Sequence, residues 1–253
     1  MRIAANARRT VASVAAGLVL LAGCGGAGGD GGGSEDGGKG RDHGRGDTAA
    51  RPYGADAGAR LTGIPDVGKA MAARIPSASR QVVAVYGDGA DSPNATVVLY
   101  GKDGDGWRRQ ASWPAHNGRR GWTTDHHEDD LRTPVGVFTL SDAGGVLPEP
   151  AAKLPYTHSA AFTPPAYWSK ITRHDFDYVI AIDYNRVKGT TPLDPTRPAG
   201  QAKGGGIWLH VDHGSGTSGC VSVSPSAMKY LLRTLDPKQH PVVVMGDKAN
   251  LAG

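Results

Sequence analysis

A mostly β domain with one or two short helices is what this 253-residue sequence predicts. Three features predict it. Short runs of valine, isoleucine and aromatic residues recur from about residue 80 onward. Gly, Pro and Asp breaks separate them. Only two stretches carry apolar residues at helical spacing. Many short strands with turn signals between them read as a largely antiparallel all-β fold.

The elements follow in order. A short helix is expected over Ile64–Ile75 (IPDVGKAMAARI), after a Pro-Asp entry. Strands are expected in QVVAVYG from Gln81, ATVVLYG from Ala95, WRRQASW from Trp107 and VGVFTL from Val135. YVIAIDY from Tyr178, GIWLHV from Gly206 and VVVMG from Val242 complete the set. A second helix is expected over Pro225–Asp236, with Pro225 at its start and Met228, Leu231, Leu232 and Leu235 on one face. Roughly 190 residues suffice for one core. No internal repeat or second domain boundary is visible.

The N-terminus has another character. Arg2, Arg8 and Arg9 precede a mostly apolar run, Val11 to Leu21, too short for a comfortable membrane span. This is the layout of an export signal. The run ends in Leu21-Ala22-Gly23-Cys24, which resembles the lipobox of bacterial lipoproteins. In that class the signal is cut before the cysteine, which then carries acyl chains. Each buried CH₂ contributes about 0.8 kcal/mol, so two or three chains hold a protein at a membrane. Residues 25 to 46 contain 12 glycines among scattered charges, too little apolar surface to offset the entropy of ordering. The organisation expected is a signal over 1–23, a lipidated cysteine and Gly-rich tether over 24–61, and one domain over 62–249. The tether's root-mean-square reach is roughly 35 Å, enough for a membrane-anchored domain to patrol a layer above it.

Charge narrows the partners. The formal charge is +4, and loss of the three signal arginines leaves about +1. That balance gives no reason to expect nucleic acid, which calls for a concentrated basic face. The sequence sets no oligomeric state and implies no cofactor.

Chemistry concentrates in GIWLHVDHGSGTSGCVSVS, Gly206 to Ser224. Cys220 and Cys24 are the only cysteines. A lipidated Cys24 could not also bridge Cys220. An exported chain with one remaining cysteine points to a reactive thiol or an intermolecular bridge. A buried structural cysteine and a Cys24–Cys220 disulfide are the other readings. An ordinary thiol is mostly protonated at neutral pH, and a nearby histidine can take the proton. His210, closing an apolar run ten residues upstream, is one candidate base; His213, in the loop, is the rival. Small residues before the sulfur let backbone N–H groups approach a substrate carbonyl and stabilise its developing oxyanion. GTSGC does not complete the G-x-S-x-G pattern of a serine nucleophile, since its last position is cysteine.

This block, together with RTPVGVF (Arg132 to Phe138), resembles the L,D-transpeptidase catalytic domain, the YkuD-like family. The resemblance spans roughly residues 80 to 246. It implies a β-sandwich or barrel-like domain acting on peptidoglycan stem peptides. Cys220 would be the nucleophile and His210 the base, with Gly219 and Cys220 N–H groups at the oxyanion and Ser218 shaping that site. D-Alanine would leave, a thioester would remain, and an amine or water would resolve it. A family relative whose chemistry has lapsed, a wall-binding lipoprotein, is the alternative. The sequence departs from the commoner S-H-G-C-[IV]-R signature: Ser218 stands for the histidine and Ser222 for the arginine, and the loop is shorter.

Other residues carry weaker signals. His213, Tyr184 and Asn185 are candidate substrate contacts, the last two at the end of an apolar strand. Asp212 could orient an imidazole or be a solvated loop residue. DHHED, Asp125 to Asp129, lacks fixed spacing to further ligands and reads as a charged loop near the cleft rather than a metal site. Trp107, Trp113 and Trp122 are expected in the core or on ordinary surface, with a substrate groove as the alternative.

Overall fold

Strand alternation builds a barrel. The computed structural model describes residues 59–253; the expected signal, Cys24 and nearly all of the tether lie outside them. β1 (Gln81–Gly87), β2 (Asn94–Asp103) and β3 (Gly106–His116) form an antiparallel meander. β4 (Trp122–Thr123) and β5 (Thr133–Pro134) make a small parallel pair of their own. β6 (Gly136–Gly145), β7 (Tyr156–His158), β8 (Val179–Ile182), β9 (Trp208–Val211), β10 (Val221–Val223) and β11 (Val242–Asp247) follow.

The main sheet runs β11-β1-β2-β3-β10-β9-β8-β6-β7, and a further pairing of β11 with β6 closes it. Closure removes the sheet edges that would otherwise invite pairing with other chains. The long β6 makes it possible: Gly136–Thr139 pair with β11, and Leu140–Gly144 with β8. Most of the ring is antiparallel, as expected, but β1 with β11 and β9 with β10 are parallel. Of the two architectures the sequence left open, the barrel is the one adopted.

Side chains one apart point to opposite faces. Val83, Val85, Leu99, Ile180, Leu209, Val211, Val221, Val223 and Val243 fill the interior. Helix α2 (Pro225–Thr234) adds Met228, Leu231 and Leu232, with Leu235 just beyond it, all fully buried. Each such side chain contributes about 1.5–3 kcal/mol. Ser224 caps α2 by accepting from Ala227 N, with Pro225 in the first turn. The intervening residues Val82, Ala84, Val98, Tyr100, Val242 and Val244 form an outer cluster. Met71 of α1 (Lys69–Ala72) and Leu251 of α3 (Lys248–Ala252) cover it. A second outer cluster, on β8 and β9, is where the site lies.

The first helix is shorter than its apolar spacing predicts. Asp66 adopts a left-handed φ of 57°. Gly68 N–H donates to Leu251 O, and a Cβ at Gly68 would stand 1.8 Å from the Ala252 carbonyl oxygen. Packing against α3 therefore fixes the entry, and one turn follows. α3 itself continues past residue 249, the expected domain end, to Ala252.

Candidate active site

β9 and β10 run parallel side by side, yet only the nine residues Asp212 to Cys220 join them. Parallel neighbours ordinarily need a longer crossover, often a helix. The loop must instead return directly from the end of β9 to the start of β10. The register pairs Leu209 with Val221 and His210 with Ser222. Because Leu209 and Val221 point into the core, Trp208, His210, Cys220 and Ser222 share the outer face. Phe162 and Phe176 cover that face with Val179, Ala181 and Trp208, and Cys220 belongs to the same cluster.

Cys220 has no solvent exposure, and its sulfur is in a disulfide. The chain's only other cysteine, Cys24, lies outside the described residues. Sγ accepts from Trp208 N–H at 3.4 Å and lies 3.5 Å from the Gly206 carbonyl oxygen.

The motif threonines explain why RTPVGVF accompanies the cysteine. Thr217 Oγ1 donates to Cys220 O at 2.7 Å and accepts from Gly219 N. Thr133 Oγ1 lies 3.4 Å from the same carbonyl and accepts from Gly118 N. Two buried hydroxyls thus hold the peptide on which the sulfur sits. Gly219 has φ 148°, with Arg132 O 3.0 Å from where a Cβ would stand. Its N–H, expected at the oxyanion, bonds Thr217 in this state. Ser218 beside it is half-buried.

The histidines differ in electrostatics. His210 is fully buried; its Nδ1 meets Val211 O at 2.8 Å, while Nε2 has no hydrogen-bond partner among the described residues. Burial holds its pKa below the ordinary imidazole value, against the pull of Asp175. His213 Nδ1 pairs with Asp175 Oδ2 at 3.0 Å, which raises its pKa. Asp175 is 1% exposed in its side chain. Phe176, the next residue, packs its ring 5.4 Å from that of His210.

These shifts act oppositely on stability. His213, raised, contributes stability that is present below about pH 6.5, its unfolded value, and lost as pH rises through the folded pKa. His210, depressed, contributes stability above about pH 6.5 that is lost as pH falls through its folded pKa. The urea midpoint of His213→Gln is expected to fall further below wild type at pH 5.5 than at pH 8.5. A gap independent of pH would show that the His213–Asp175 pair carries no such linkage.

Asp212 does orient an imidazole, that of His116. Its Oδ1 meets His116 Nδ1 at 2.8 Å and accepts from Ser222 Oγ at 2.6 Å. Burial pushes the Asp212 pKa up, but these bonds outweigh it and the net direction is down. Tyr184 and Asn185 support the loop entering β9. Tyr184 O–H donates to Lys203 O, and Asn185 Nδ2 donates to Gly200 O and Gly204 O. The DHHED segment folds against the same loop. A Cβ on Gly219 would stand 3.5 Å from His126 Cε1, and one on Gly204 3.0 Å from His126 Nε2. Nδ1 of His126 is 3.0 Å from Asp130 Oδ1. Among the described residues no group of three His, Cys, Asp or Glu side chains is placed to hold a metal ion. Trp107, Trp113 and Trp122 are core residues.

Sequence reasoning missed Asp175 and Thr217, and took His126 only as part of a charged loop near the cleft. Thr217 lay within the quoted motif and could have been flagged as a hydroxyl near the sulfur. Asp175 comes from a distant segment and carries no local signal.

The barrel and its outer-face cysteine and histidine place the chain in a class that the comparisons then specify. A family model described as the L,D-transpeptidase catalytic domain, YkuD, matches residues 90–244. The chain belongs to this family. No curated protein matches it. Among solved structures it is similar to Bd1075 of Bdellovibrio bacteriovorus, at 17% identity and a TM-score of 0.40, over 74% of this chain and 53% of that one. It is also similar to the helical cell shape determining protein Pgp2 from Campylobacter jejuni, at 16% identity and a TM-score of 0.36, over 65% and 46%. The chain thus spans about half the length of each. No helix among the described residues is long and apolar enough to cross a membrane.

Proposed function

We propose that this protein is a peptidoglycan L,D-transpeptidase working through a thioester at Cys220. The observation that carries the reading is the shared outer face of His210 and Cys220, set by the β9–β10 register. The reduced sulfur would attack the carbonyl of a diaminopimelate residue at its bond to D-alanine, with His210 taking the thiol proton. That proton passes to the departing D-alanine amine. An amine of a second stem then releases the acyl group as a crosslink; water in its place makes the enzyme an L,D-carboxypeptidase. The Cys220 N–H is the main oxyanion donor in this reading, and Gly219 N–H joins by exchanging its bond to Thr217. Burial keeps His210 disposed to be neutral and so able to accept a proton, and a positive charge on His213, whose pKa the Asp175 pair raises, would act in the same direction.

A disulfided sulfur cannot attack, so reduction precedes chemistry. The proposed lipid anchor bears on this directly. A thioether to lipid at Cys24 would leave its sulfur unable to bridge Cys220, so anchored protein outside the cytoplasm would carry Cys220 in another state. The proposed organisation remains a signal over 1–23, a tether over 24–61 and a catalytic domain over 62–249.

The test is D-alanine release from a stem tetrapeptide by the reduced full chain. Loss of a general base costs about 10²–10⁴-fold, so His210→Ala should slow release by that factor with the fold intact. Unchanged release would shift the base to His213. No release by wild type, with peptidoglycan still retained, would leave the wall-binding lipoprotein.

A further inference from the structure

Arg197 is a half-buried cation over Gly205, in the segment that leads into β9, and it has no ion pair at close range among the described residues. Its Nη1 donates to the Asp194 and Thr196 carbonyls, each at 3.1 Å. Nε lies over Gly205, where a Cβ would stand only 2.1 Å away. The next residue, Gly206, is the one whose carbonyl oxygen lies 3.5 Å from Cys220 Sγ. A glycine at 205 is therefore what allows the guanidinium to rest on the backbone, one residue before the carbonyl that the sulfur approaches.

The neighbouring cations are matched. Arg132 pairs with Asp91, Lys203 with Asp125, and Arg186 with Asp142 and Asp183. Arg197 has no carboxylate within 4.0 Å among the described residues. Glu128 and Asp194 attract it from further off, while burial, the larger influence, holds its pKa below the arginine norm. A guanidinium stays protonated regardless, and removing its charge from water is costly unless an anion docks.

We propose that Arg197 receives a carboxylate of the acyl-donor peptide close to the bond that Cys220 attacks. This rests on the reading of Cys220 as nucleophile, and the experiment separates the two. The full chain is reduced, desalted and treated with iodoacetate or its neutral counterpart iodoacetamide. Alkylation is followed on the Cys220 peptide, and the urea-unfolded chain supplies the intrinsic ratio of the two rates.

One charge-assisted hydrogen bond is expected to raise the iodoacetate-to-iodoacetamide ratio about tenfold in the folded wild type. Arg197→Gln should return the ratio to the unfolded value with the iodoacetamide rate unchanged, and Arg197→Lys should keep part of the preference. Equal ratios in folded and unfolded wild type overturn the proposal, as does a preference that survives in Arg197→Gln. Equal slowing of both reagents in that variant makes Arg197 a support for the loop and also overturns it. Failure of wild type to react with either reagent removes the nucleophile reading, and this proposal with it.

Discussion

Cys220→Ala should abolish acylation by a carbapenem. The reduced full chain is expected to gain the mass of one opened β-lactam, mapping to the peptide that contains Cys220. The variant should gain none. D-Alanine release should fall on the order of 10⁴-fold or more, since removing the nucleophile of an acyl-transfer enzyme leaves only binding and oxyanion contributions. Before reduction the wild type should be equally silent, because its sulfur has no thiolate to offer. Intact mass with and without reductant reads all three states. An adduct that persists in Cys220→Ala, or forms equally without reductant, would place the chemistry elsewhere.

Arg186→Ala should cost about 3–5 kcal/mol of folding stability, the usual result of leaving buried charge without its partner. Arg186 Nη1 bonds both Asp142 and Asp183, whose side chains are 6% and 1% exposed, and its own is 4% exposed. Ser141 and Thr139 donate to the same carboxylates, and Nη2 reaches Thr190 O. Without the guanidinium two carboxylates remain buried together, and one must protonate or drag the segment into water. Tyr184 and Asn185, just before Arg186, hold the loop that leads into β9, so the loss should also slow Cys220 alkylation. Urea denaturation measures the first effect; a change below about 1 kcal/mol, typical of a surface pair, would refute the buried network.

Much of this was legible in the sequence, for physical reasons. β1 coincides with QVVAVYG because a valine-rich run bounded by turn residues fits a strand buried on both faces. α2 matches closely because Ser224, Pro225 and the apolar face all specify it. β10 was not legible: Val221-Ser222-Val223 alternates, but three residues embedded in a glycine and serine motif are too few to stand out, and pairing with β9 and β3 makes them a strand. The site was legible in part. His210 and Cys220 lie close in sequence, so their spacing could be read. Asp175, which pairs with His213, reaches the site through the segment before β8, and nothing in its own neighbourhood announces that contact. Tyr184 and Asn185 sit where a strand-end reading expects them, but their polar atoms support backbone.

The direct return between two parallel neighbours has an evolutionary corollary. Spacing between imidazole and sulfur is dictated by interstrand hydrogen bonding, so the connecting segment is excused from setting it. Insertions or exchanges between Asp212 and Ser218 can then reshape the loop while His210 and Cys220 keep their alignment, provided the two threonine hydroxyls still clasp the cysteine carbonyl.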